Sequence, residues 1–115
     1  MNDLILDADE ALVRFNGNKS IYVKLLKRFI EINVKIKDNA ENVVNSGNLK
    51  DIFIFFHSLK GGFGNLSAKK LYEKSVEMEN YARNNDLISL KYELDSFYEK
   101  YDEFVNFVND FCDIK

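Results

Sequence analysis

The 115 residues, 46% of them hydrophobic, suffice for one domain with its own core and leave too little for a second, and the absence of proline with only five glycines favours long helices over short strands. A net charge of −3 with Lys and Glu interleaved argues against nucleic acid, which needs a dense basic surface; a single cysteine excludes an internal disulfide, and one His beside one Cys cannot build the usual zinc site. The longest apolar run, Ile52 to Phe56, falls far short of the roughly 20 residues of a membrane span, and Met1-Asn2-Asp3-Leu4 lacks the basic start of a signal peptide, so a cytoplasmic protein without a membrane partner is expected.

The first segment, about Ala8 to Phe15, is predicted helical, with Asp7 as N-cap, Glu10 three residues on and Gly17 just past the last apolar residue. The second begins near Asn18 or Ser20. Its apolar residues Tyr22, Leu25, Leu26, Phe29, Ile32, Ile36, Ala40 and Val43 hold a three-and-four spacing for about six turns, which predicts one long helix stopped by Asn45-Ser46-Gly47-Asn48. A third helix starts after Asn48. Ser67 is the expected cap of a fourth, which runs through Leu71, Ser75, Met78 and Ala82 to Asn84-Asn85. The fifth follows Asp86 and carries Leu87, Leu90, Leu94, Phe97, Tyr101, Phe104, Val108 and Phe111 in the cleanest amphipathic pattern of the chain. Four long helices with short polar connections predict an all-α protein, an antiparallel up-and-down four-helix bundle with the short N-terminal helix as a lid, all within one domain over 1–115. A coiled-coil dimer through the last helix is the competing architecture, and it would leave the other apolar faces uncovered.

A helical wheel of the third segment, turning about 100° per residue, sets Ile52, Phe55, Leu59, Phe63 and Leu66 opposite His57. The only histidine of the chain is therefore expected to point outwards. Lys50, Phe53, Lys60, Gly61 and Gly64 share its face, with Ile54 on the flank, so apolar bulk lies beside a solvent-facing imidazole as at the centre of a small docking surface. Gly61, Gly62 and Gly64 would cost about 1 kcal/mol each in a helix interior. Either they clear space for another molecule to approach His57, or the helix ends at Lys60 and 61–67 is a loop.

The run His57-Ser58-Leu59-Lys60-Gly61-Gly62-Phe63-Gly64-Asn65 resembles the signature of histidine phosphotransfer (HPt) domains, in which the histidine is followed at the third, fourth and seventh positions by Lys, Gly and Gly. Phe15-Asn16-Gly17-Asn18 with Tyr22, Leu25, Leu26 and Phe29 is similar to the turn and second-helix opening of the same family. The phosphotransfer domain of chemotaxis-type histidine kinases, with its His-Ser-Ile-Lys-Gly-Gly run, is particularly similar. In that branch a glutamate on the next helix supports the histidine, and an ungapped count carries the role to Glu79. The alternative for Glu79 is one more solvated glutamate. Two departures stand out: Phe63 replaces the usual small residue, and Val76 stands where some members have a second histidine.

The resemblance implies a phosphoryl relay in two-component signalling, with His57 taking the group from a histidine kinase or a receiver-domain aspartate and passing it to a response regulator. On this reading Glu79 would fix the tautomer, Lys60 would offset the phosphoryl charge and Lys50 would add to the field. Lys50, Phe53, Ile54, Gly61 and Gly64 would form the docking surface. The domain would hold no metal or cofactor of its own, and the Mg²⁺ of the reaction would sit on the partner receiver domain. With no glycine-rich nucleotide loop or Walker sequence, it would be a carrier without kinase activity of its own. The main alternative is a helical adaptor that binds receiver or kinase domains without being phosphorylated, against which Lys60 and the glycines argue. A hydrolase using His57 and Glu79 as a general base would lack a nucleophile and an oxyanion arrangement.

Overall fold

Six helices account for most of residues 4–112, the part of the chain that the computed structural model describes, and no strand occurs among them. They are α1 (Ala8–Arg14), α2 (Lys19–Ile32), α3 (Ile36–Asn45), α4 (Leu49–Asn65), α5 (Lys69–Arg83) and α6 (Leu87–Cys112). The start Met1-Asn2-Asp3 lies outside the described residues, as do residues 113–115. No described helix is long and apolar enough to cross a membrane.

Most starts follow the sequence signals. Asp7, Asn18 and Asn48 each accept a hydrogen bond from the backbone N–H three residues on, at 3.1 Å, and Asp86 accepts from Ser89 N at 3.0 Å. Two expectations fail. Ser67 does not cap α5: Ala68 occupies that position without a side-chain bond, while Ser67 turns the chain at φ +57° and its hydroxyl donates to Glu10 Oε1 at 3.0 Å. Glu10, in turn, does not reach back to Asp7, whose N–H donates to Ser67 O at 2.8 Å. The α1 cap and the α4–α5 turn thus lock each other.

The long second helix is two helices. Residues 33–35 form a turn: the Asn33 backbone N–H closes the last helical bond to Phe29 O at 3.0 Å, and its side chain donates to the same carbonyl at 2.9 Å, capping the end of α2. The three-and-four spacing of the buried face survives the break. Ile36, Ala40 and Val44 are buried in α3, whereas Ile32 and Leu25 of α2 are 66% and 40% exposed. Val44, and not Val43, is the fully buried residue at the end of this run.

The core is built from Tyr22 and Leu26 of α2, the buried face of α3, Ile52, Phe56, Leu59 and Phe63 of α4, Leu71 and Met78 of α5, and Leu90, Leu94, Phe97, Tyr101, Phe104 and Val108 of α6. On α4 the wheel is correct for Ile52, Leu59 and Phe63 but sits slightly off centre: Phe56 is fully buried and Phe55 only half-buried. Phe63 packs edge-on to Phe104 at 6.1 Å and against Phe29 at 5.2 Å, so the bulky departure from the motif fills core volume. The α4 helix continues through the glycines to Asn65, and its last carbonyls find donors: Tyr22 Oη donates to Leu66 O at 2.6 Å and Arg14 to Asn65 O at 2.7 Å.

Candidate functional site

His57 lies two turns before the end of α4, on the side facing away from the phenylalanine core, with its side chain 58% exposed. Its ring stacks on Phe53, one turn earlier, with centroids 5.4 Å apart and an interplanar angle of 15°. Nδ1 faces Glu79 Oε1 at 3.3 Å, a long hydrogen bond. A carboxylate only accepts, so of the two neutral tautomers this contact favours the one with its proton on Nδ1, which leaves Nε2 as the nitrogen not engaged by the carboxylate. Among the described residues Nε2 has no partner.

Glu79 is only 4% exposed, the opposite of a solvated glutamate. It comes from α5, which packs more extensively on α4 than any other helix does. Lys60 Nζ donates to Oε1 at 3.2 Å and stands 3.0 Å from Oε2, where it acts as a charge outside hydrogen-bond alignment. Arg83 Nη2 reaches Oε1 at 3.3 Å. Burial alone would push the Glu79 carboxyl up, but hydrogen bonds and charge from Lys60 and His57 outweigh it and hold the group below the ordinary glutamate range.

The sign of the consequence is fixed. A carboxyl lowered in the fold contributes stability that is complete above its unfolded value and is lost as pH falls through its folded value. In urea unfolding followed against pH, Glu79→Gln is expected to be less stable than the parent at neutral pH and to show a shallower acid decline. Equally steep acid limbs in the two proteins would remove Glu79 as a source of that decline.

The glycines divide by environment. A Cβ at Gly61 would meet nothing within 4 Å, while one at Gly62 would lie 3.0 Å from Phe29 Cε2 and one at Gly64 3.3 Å from Tyr72 Cδ2. Gly61 therefore leaves open space beside His57, Gly62 admits the Phe29 ring, and Gly64 lets Tyr72 of α5 come close. Ile54, at 51% exposure, and Lys50 are on the surface; Phe53 is half-buried, with its ring engaged by His57 and by the Arg83 guanidinium at 5.2 Å from the centroid. On the flank toward α2 is an apolar groove of about 430 Å³, lined by Phe15, Leu25, Phe29, Ile32 and Leu66 with Arg28 at its rim.

Sequence reasoning brought His57, Lys60 and Glu79 together, and they do meet. It missed Arg83, although a Glu followed four residues later by Arg on one helix is a readable ion-pair signal. The chain can thus present an imidazole with Nδ1 held on a buried carboxylate, Nε2 free of it, and Lys60 one turn away. A family model, that of the Hpt domain, matches residues 24–107, a span that includes α3, α4 and α5 whole and most of α2 and α6. No curated protein and no solved structure gives a significant match.

Proposed function

The chain belongs to the Hpt domain family, whose members transfer phosphoryl groups in phosphorelay signalling, and from that premise we propose that His57 is the residue that carries the phosphoryl group. The observation that supports this most is the half-exposed imidazole with Nδ1 on a buried carboxylate. Nε2 attacks the phosphorus of a receiver-domain aspartyl phosphate or of a kinase-bound donor, the N–P bond forms as the donor O–P bond breaks, and the donor oxygen leaves with the electron pair. The Nδ1 proton stays on the ring, where the Glu79 carboxylate stabilises the positive charge that the phosphorylated imidazole acquires. Lys60 offsets the incoming phosphoryl charge and Lys50 adds to the field from the preceding turns. The Mg²⁺ of the reaction belongs to the partner receiver's acidic pocket.

Lys50, Phe53, Ile54, Gly61 and Gly64 form the face on which a response-regulator receiver or a histidine kinase docks, with Gly61 providing clearance and Phe53 acting mainly as the platform under His57. The finer architecture belongs to the same reading: an antiparallel four-helix bundle in which α2 and α3 together make the first member and α4, α5 and α6 the others, with α1 as the short additional helix, within a single domain over 1–115. Support comes from the pairs His57 with Glu79 and Gly64 with Tyr72 between α4 and α5, and Lys74 with Glu93 and Lys70 with Glu103 between α5 and α6, which run in opposite directions along their helices. Two-component relays of this kind operate in the cytoplasm, and the reading assigns the chain there.

The test is to charge receiver domains with labelled phosphoryl groups and incubate each with the chain. Transfer to the chain, in a bond stable to base and labile to acid as a phosphoramidate is, supports the reading; binding without transfer from any receiver or kinase supports the adaptor in its place. Lys60→Ala should slow uptake about tenfold while receiver binding changes little, as measured by quench-flow labelling and calorimetry. Equal rates would remove Lys60 from the reaction.

A further inference from the structure

The Glu79 carboxylate is approached by more positive charge than it carries negative. Lys60 stands close to both oxygens, and Arg83 Nη2 lies 3.3 Å from Oε1, the same oxygen that faces His57 Nδ1 at 3.3 Å. One negative charge against two permanent cations leaves a local positive surplus before the histidine is counted. That surplus matters for a ring that must stay neutral to keep a lone pair on Nε2. A carboxylate paired with a histidine alone favours the imidazolium; one already matched by cations still accepts the Nδ1 proton but pulls less on a second.

The two cations are held differently. Lys60 is 25% exposed on the helix of His57 itself, whereas Arg83 is 58% exposed on the last residue of α5. Its guanidinium lies over the Phe53 ring, 5.2 Å from the centroid, and Phe53 stacks on His57. Asn80 Oδ1 accepts from Nη1 at 3.1 Å and fixes the fork. One side chain thus touches both supports of the imidazole, the carboxylate at its edge and the ring on its face.

The geometry points to Arg83 as a positioning residue that, through Glu79 and Phe53, keeps the His57 imidazole neutral and oriented with Nε2 outward. Its purpose rests on the phosphotransfer reading above; its measurement does not. The charged groups around His57 are Lys60 on α4 and Glu79 and Arg83 on α5, with Lys50 two turns earlier on the same exposed face. Among the described residues the polar partner of His57 is Glu79 on α5, and α3, which also packs on α4, supplies none.

The test is a ¹⁵N NMR titration of the His57 ring in the full chain, with no phosphoryl partner present. Arg83→Ala is expected to raise the titration midpoint by about half a pH unit. Arg83→Lys, which keeps the charge, should return it toward the parent value. Arg83→Gln removes the charge while keeping length and hydrogen bonding, and decides the matter if alanine disturbs the end of α5. In phosphoryl uptake, Arg83→Ala should be slower at acidic pH and converge on the parent as pH rises. A midpoint unmoved in both Ala and Gln variants overturns the inference. Failure of the phosphotransfer reading shows separately, as a parent protein that takes up no phosphoryl group while the midpoint still shifts.

Discussion

His57→Gln is expected to leave a folded helical protein that takes up no phosphoryl group from any charged receiver. The loss should be complete, because an amide nitrogen has its lone pair delocalised into the carbonyl and cannot attack phosphorus, and no second histidine is present to take over. The fold should survive. The side chain is more than half exposed, and Glu79 would keep Lys60 and Arg83 as partners, so the urea midpoint should move by less than the equivalent of about 1 kcal/mol. Labelling on gels and circular dichroism of the same sample separate the two effects. Uptake equal to that of the parent would place the acceptor elsewhere and end the His57 assignment.

Leucine at Gly61 and leucine at Gly62 should have opposite consequences, although the two positions are neighbours in one helix. At Gly61 the added side chain enters open space beside His57, and replacing a helical glycine gains about 1 kcal/mol of propensity. That variant should unfold at equal or higher urea concentration yet lose more than tenfold in transfer rate, since the clearance for the partner is gone. At Gly62 the first added carbon is already 3.0 Å from Phe29, whose ring is held by Phe63 and Phe104 at 5.2 and 6.1 Å. Overpacking there should destabilise by about 1–3 kcal/mol. A Gly61→Leu protein that transfers at the parent rate would show that the space beside His57 is not used.

The helices and the outward direction of His57 were legible because both follow from periodicity, and Asn18, Asn48 and Asp86 announced their helix starts chemically. What periodicity could not disclose was the turn at 33–35. A spacing of three and four continues through a break when each half remains helical, and only Asn33, whose side chain caps the last hydrogen-bonded carbonyl of α2, marks the place. Ser67 misled for a related reason: a serine before a helix fits a cap, and its actual partner, Glu10, is 57 residues away in sequence. At the site, the position of Glu79 came from a count along a resembling motif, but its near-complete burial and its sharing by three partners are tertiary facts. The glycines looked alike in sequence and differ only in what lies opposite each of them.

The turn at Asn33 ends one helix before another begins at Ile36. Because α2 ends there and α3 sets off anew, the outward residues Leu25, Arg28 and Ile32 belong to a segment separate from the helices that carry His57, Glu79 and Arg83. Substitutions at these three outward positions should leave the carboxylate and the imidazole undisturbed, since those are tied to one another across α4 and α5.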